Sequence, residues 1–151
     1  MDEAFRQFAA RWLPLLNNGA RAQFHHRIGP IMPAPHSEIA DGFIGGLGFA
    51  KIGFNWELLD ALPGADGPRS AWAQMEQALA GDIANPARPW LAQADAAACA
   101  RDFIALFDPE RRTLVANRYD GLWNPIAGAA VEWAFVGFDD KAIALLLITD
   151  T

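Results

Sequence analysis

The sequence predicts an α+β fold: N-terminal helices packed on an antiparallel sheet that includes a C-terminal three-stranded meander. Three observations carry this. Apolar residues recur at three- and four-residue spacing through much of the first two-thirds of the chain, as in helices with one buried face. After Pro109 the residues change to runs rich in Val, Ile, Leu, Thr and aromatics, broken by turn chemistry at Asp120-Gly121 and Asp139-Asp140. The last run, Ala142-Ile143-Ala144-Leu145-Leu146-Leu147-Ile148, is apolar at every position, so it needs a central place or cover on both faces.

The first helix starts from the acidic turn Asp2-Glu3, which suits the positive end of a helix, and turns Phe5, Phe8, Trp12 and either Leu15 or Leu16 inward. Pro14 lacks the N–H a helix interior needs and predicts an early end or a kink, with Asn17-Asn18-Gly19 closing the element. Residues 20–41, with His25-His26-Arg27, Gly29-Pro30 and Pro33-Ala34-Pro35, read as an extended surface connector. Residues 42–54 mix Phe43, Ile44, Phe49 and Ile52 with five glycines, which suggests a bent or bulged strand or strand pair. A short helical turn over 56–62 ends at Pro63-Gly64. A helix over 68–80 follows, with proline in its first turn, Gly81 at its end and Trp72, Met75 and Leu79 as its buried stripe. The third main helix, 92–107, buries Ala98, Phe103, Leu106 and Phe107 and stops at Asp108-Pro109. Strands at 112–119, 129–138 and 141–149 complete the chain.

With 151 residues, 52% of them hydrophobic and 20% charged, the chain corresponds to a single globular domain. Six Trp and ten Phe supply a core that needs no cross-links, since each buried ring removes about 150–250 Å² from water. Cys99 is the sole cysteine, so neither an intrachain disulfide nor a cysteine metal cluster can form, and a reducing compartment is expected. Met1-Asp2-Glu3 lacks the basic and apolar regions of a secretory signal, and no apolar run is long enough to span a bilayer; the expected location is cytoplasmic. A net charge of −6 opposes nucleic acid and anionic membrane and favours a basic protein partner, while also serving solubility.

Motifs that would carry chemistry are incomplete. Gly46-Leu47-Gly48 meets Lys51 where a dinucleotide fingerprint needs its third glycine, and Lys51 follows Ala50 rather than the glycine of a phosphate-binding loop. His36-Ser37-Glu38 has the His-x-Glu spacing of zinc deaminases, but one cysteine cannot complete that site. His25, His26 and His36 with Glu38 or Asp41 offer imidazole and carboxylate donors, yet adjacent histidines point to opposite faces of a strand. Ser37 and Ser70 lack a nucleophile elbow, and Ser70 is better placed as a helix cap. Cys99, flanked by alanines, reads as a small apolar core residue, and Asp139-Asp140 as a hairpin turn. No catalytic residue and no cofactor is therefore expected.

What remains is the polar tip Asn117-Arg118-Tyr119-Asp120-Gly121-Leu122-Trp123-Asn124-Pro125 between hydrophobic runs. Arg118, Tyr119 and Trp123 are residue types enriched at interface hot spots, and Asn117, Asp120 and Asn124 add hydrogen-bond formers. The other reading has Tyr119 and Trp123 folding back as core lids and Arg118 pairing with Asp120 or Glu110.

Phe107-Asp108, Arg112, Asn117-Arg118, Gly121-Leu122-Trp123-Asn124-Pro125-Ile126, a Trp/Phe-bearing strand and a closing apolar strand ending in Asp150 together make a pattern. It resembles the C-terminal sheet of small bacterial immunity proteins that neutralise polymorphic toxins, over less than a third of the chain. The resemblance implies a non-enzymatic, acidic cytoplasmic inhibitor that plugs a basic toxin cleft. The expected contact face is Asn117, Arg118, Tyr119, Asp120, Trp123 and Asn124, with Glu132, Asp139 and Asp140 supplying negative potential. The alternative is an enzyme or ligand carrier with a pocket between helices and sheet, lined by Trp56, Trp72, Trp90 and Trp133, with His25, His26, His36 and Glu38 at its mouth. A third option is an oligomerising module, with a homodimer as its simplest form.

Overall fold

A computed structural model describes residues 2–80, 90–119 and 122–150, those at 119 and 123 by their backbone alone. The expected helix end at Gly81 and the Asp120-Gly121 turn lie outside the described residues. In chain order the elements are α1 (Asp2–Leu16), β1 (Arg21–Ile28), α2 (His36–Gly46), β2 (Glu57–Leu59), α3 (Ala71–Ala80) and α4 (Gln93–Ile104). There follow β3 (Thr113–Ala116), β4 (Arg118–Tyr119), β5 (Leu122–Trp123), β6 (Val131–Phe138) and β7 (Ala142–Asp150). The main sheet is five-stranded and antiparallel throughout, in the order β1-β7-β6-β3-β2, and β4 with β5 forms a separate two-stranded hairpin. The class is α+β, and β3, β6 and β7 are the expected C-terminal meander.

Three layers result. On one face of the sheet, Phe5, Phe8, Trp12 and Leu16 of α1 join Met75 and Leu79 of α3 and Cys99 and Phe103 of α4. They pack on Ala144, Leu146 and Ile148 of β7 and on Trp133 and Phe135 of β6. On the other face Ala40, Phe43 and Ile44 of α2, with Trp56 and Ile126, cover Ile143, Leu145 and Leu147 of β7 and Ala134 and Val136 of β6. Strand β7 is thus flanked by β1 and β6 and buried on both faces, which is why polar residues are absent from 142–148. Each of the large α1 anchors contributes roughly 1.5–3 kcal/mol by leaving water. Leu16, not Leu15, is the last anchor of α1, and the helix runs two residues past Pro14 before ending.

Three expectations about the middle of the chain are corrected. The stretch read as a connector contains β1, whose Ala22, Phe24 and His26 face α1 while Arg21, Gln23, His25 and Arg27 face the α2 side. The prolines that argued for a loop begin only after Ile28. The glycine-rich stretch read as a bulged strand is helix α2 and a 3-10 turn at Gly53–Asn55; Ala40, Phe43 and Ile44 recur at helical spacing and bury one face. Residues Glu57–Leu59, read as a helical turn, form β2, because Leu59 is drawn into the core opposite Leu114.

Ser70 caps α3 as expected, accepting from Ala73 N at 3.4 Å while its hydroxyl donates to Ala65 O at 3.0 Å.

Candidate functional site

The hairpin β4–β5 is held outside the main sheet by a buried polar clamp at its base. Asn117 closes β3: its N–H donates to Ala134 O at 3.0 Å, its Oδ1 accepts from Ala134 N at 2.9 Å, and its carbonyl accepts from Asn124 N at 2.9 Å. Its Nδ2 lies 3.3 Å from both Asn124 O and Glu132 Oε2. Glu132, only 1% exposed, also accepts from Ile126 N at 2.5 Å through Oε2 and from Ala127 N at 2.9 Å and Ala129 N at 3.5 Å through Oε1. A carboxylate buried in this way is tolerated because backbone donors replace its water. The clamp ties both ends of the β4–β5 pair to β3 and β6.

The expected contact residues therefore separate. Asn117 and Glu132 are turned inward and spend their polar atoms on the clamp, so they do not front a contact face. Asp139 is turned inward too, accepting Asp108 N through Oδ2 and Lys141 N and Ala142 N through Oδ1, at 2.8–3.0 Å. Only Asp140 of that turn is exposed, and seven strand steps along β6 set the Asp139–Asp140 turn roughly 24 Å from Glu132. The two groups do not form one surface. Arg118 is half-buried with its guanidinium over the Trp133 ring, 5.6 Å from the centroid, and among the described residues it makes no ion pair with Glu110. Asn124 is half-buried, its Nδ2 donating to Leu122 O at 3.3 Å. Asp120 and the side chains of Tyr119 and Trp123 lie outside the described residues. Leu122, absent from the expected set, is 71% exposed on β5. Its signal in the sequence was an aliphatic residue inside an otherwise polar turn.

Among the described residues, the four tryptophans expected to line one pocket do not come together. Trp56 is buried in the α2-side core, whereas Trp90 and Trp133 are buried in the core on the opposite face, with Trp72 packed against it. The sheet lies between them, so these rings fill two cores. Among the described residues, the open clefts at the α1–α4 seam, beside residues 31–34, between α3 and the start of α4, and under β2 are lined by no tryptophan, histidine or cysteine. The cleft beside 31–34, about 390 Å³, combines Ile31, Met32 and Phe138 with Glu110 and Asp140.

The histidines are dispersed. His26 meets Asp2 at 2.5 Å and stacks on Phe5 at 5.1 Å, so it docks the start of α1. That bond to His26 is the main cause holding the Asp2 carboxyl below its ordinary value. His25 emerges on the other face, edge-on to Phe49, and burial lowers its pKa. His36 opens α2. Among the described residues no three His, Cys, Asp or Glu side chains are grouped to hold a metal ion. Burial raises the Cys99 thiol far above its normal range, which leaves it unreactive.

Other carboxylates serve as backbone and indole acceptors. Asp41 accepts from Ile52 N at 3.0 Å, Gly53 N at 2.8 Å and Trp56 Nε1 at 2.9 Å. Asp102 accepts from Trp12 Nε1 and Arg11 Nη1, each at 2.9 Å. Among the described residues no helix is long and apolar enough to cross a membrane. The fold and site define an α+β chain with a two-stranded β4–β5 pair clamped at its base to the main sheet. Compared with known protein families, curated proteins and solved structures, the chain matches none.

Proposed function

We propose that this protein is a non-catalytic binding protein, an immunity-type inhibitor that engages a basic protein partner through the β4–β5 hairpin. The observation that carries the reading is the clamp itself. Two fully buried polar side chains and four backbone donors are committed to fixing a hairpin whose described side chains, Arg118 and Leu122, lie outside both core clusters. Such pre-organisation lowers the entropy lost on association. At the tip, Leu122 offers an apolar anchor, with Arg118 and Asn124 beside it for polar contacts. The net charge of −6 steers a basic partner toward the molecule, and exposed Asp140 acts only through this long-range field. The commitment of Glu132, Asp139, Asp41 and Asp102 to structural bonds favours binding over acid–base catalysis.

The test is co-purification from the native host with tagged wild-type protein and with the double variant Leu122→Ala/Arg118→Ala. The expected result is a basic protein, harmful when expressed alone, whose recovery falls at least about tenfold with the variant. Equal recovery by a variant with an unchanged melting temperature overturns the proposal.

A further inference from the structure

The two edges of the main sheet are finished differently. At the β2 edge Arg69 Nη2 donates to Leu58 O at 3.1 Å. Just beyond, Asp60 N donates to Arg69 O at 2.7 Å and Ala71 N to Asp60 O at 2.8 Å, so residues 69–71 cover that edge.

At the β1 edge the direction of each backbone group follows from the ladder. Gly29 N donates to Lys141 O at 2.8 Å, continuing the register that pairs Arg27 with Ile143 and His25 with Leu145. Odd-numbered residues of β1 therefore turn N–H and C=O toward β7, and even-numbered residues turn both away. Ala22 confirms the alternation: its N–H donates to Asn17 Oδ1 at 2.9 Å and its carbonyl accepts from Asn17 Nδ2 at 3.3 Å. Asn17 thereby closes one end of the edge. The outward N–H and C=O groups of Phe24, His26 and Ile28 receive no such partner among the described residues.

We propose that this open stretch of β1 takes up an extended segment of a partner protein as a sixth strand, one with acidic residues at alternate positions. The side chains on the α2 face of β1 are Arg21, Gln23, His25 and Arg27, and no acidic residue occurs from 20 to 31. Side chains of an added strand sit about 4.5–5.5 Å from that row, so an acid opposite Arg27 is matched and a base there is repelled, while Gln23 and His25 add hydrogen-bonding groups. The other row, Phe24 and the 37% exposed Ile28, suits apolar residues at the intervening positions. A second copy fits less well. Self-pairing that uses all three open residues sets His26 against His26 and Phe24 against Ile28, which puts His25 opposite Arg27. Asn17 limits the added strand to the part of β1 beyond Ala22. This surface and its partner's charge are separate from the hairpin and its basic partner.

The probe is a fluorescent octapeptide of alternating Glu and Val, with its Lys–Val counterpart as control. Amide exchange at Phe24, His26 and Ile28 is expected to slow at least about tenfold with the Glu–Val peptide, while Gln23, His25 and Arg27, already bonded to β7, stay unchanged. Ile28→Pro deletes one outward N–H without touching the β7 ladder and is expected to weaken binding, read by anisotropy, at least about tenfold. Arg27→Glu, which leaves the backbone alone, is expected to transfer the preference to the Lys–Val peptide. Equal binding of the two peptides by wild type, or no slowing at Phe24, His26 and Ile28, overturns the proposal. A wild-type dimer in sedimentation equilibrium that Arg27→Glu alters and the Glu–Val peptide does not compete with assigns the edge to a second copy, and overturns it equally.

Discussion

Asn117 and Glu132 meet in the interior between β3 and β6, Nδ2 to Oε2 at 3.3 Å, at 0% and 1% exposure. Through this contact the return of the hairpin to the sheet is set from below by a charge that never reaches solvent. Glu132→Gln turns one acceptor into an amide that faces backbone N–H groups. The expected loss of stability is about 2–4 kcal/mol in urea denaturation, with faster amide exchange at Ile126 and Ala127.

Gly137, in the middle of β6, carries the ring of Phe107. A methyl group there would lie 2.8 Å from Phe107 Cζ, closer still to Cε2, and 3.0 Å from Leu114 Cδ1. Phe107 is wedged edge-on between Phe5 and Phe103, at 5.8 and 5.7 Å, and has nowhere to move. Gly137→Ala is expected to cost about 1–3 kcal/mol, measured by thermal or urea unfolding.

These two positions also show how far the sequence could be read. The all-apolar run of β7 demanded two covering layers, and α1 on one side and α2 on the other supply them. The meander followed from β-rich runs and turn residues that need no tertiary information. Strand β1 alternated in plain sight, Ala22-x-Phe24-x-His26 against Arg21-x-Gln23-x-His25-x-Arg27, but half of the pattern was polar and the following prolines dominated the reading. In α2 the glycines masked Ala40, Phe43 and Ile44, whose burial against the sheet offsets weak helix propensity. The inward placement of Glu132 was not readable, because its partners are backbone N–H groups brought under it by the 124–130 return. Its charge looked like surface potential until that return was folded.

Asp41 holds the turn after α2 to Trp56. Gly53, whose N–H it accepts, has φ +62°, a conformation costly for other residues. Asp41→Ala leaves the Trp56 indole and two backbone N–H groups unsatisfied and is expected to cost about 2–4 kcal/mol, with a shift in tryptophan emission as Trp56 is loosened.

Below neutral pH, His25 and Asp2 make stability depend on pH in separate windows. The His25 pKa lies below its ordinary 6.5 because burial disfavours the charged ring, so the folded state binds fewer protons than the unfolded chain. Stability carries no penalty from it well above 6.5 and falls as pH drops below that value. Asp2 lies below 3.8, chiefly through the His26 bond; its contribution is present above 3.8 and is lost as pH falls through its lowered pKa. A proton-NMR titration should place His25 below 6.5, and His25→Gln should flatten only the upper window, Asp2→Asn only the lower. A His25 midpoint at or above 6.5 contradicts this.

The most direct test of the hairpin as the contact surface is backbone amide exchange on the complex with the recovered partner. Protection is expected across residues 118–124, and binding is expected to weaken at least about tenfold with Leu122→Asp. Protection confined to other segments, with the affinity of the Leu122→Asp variant unchanged, would contradict it.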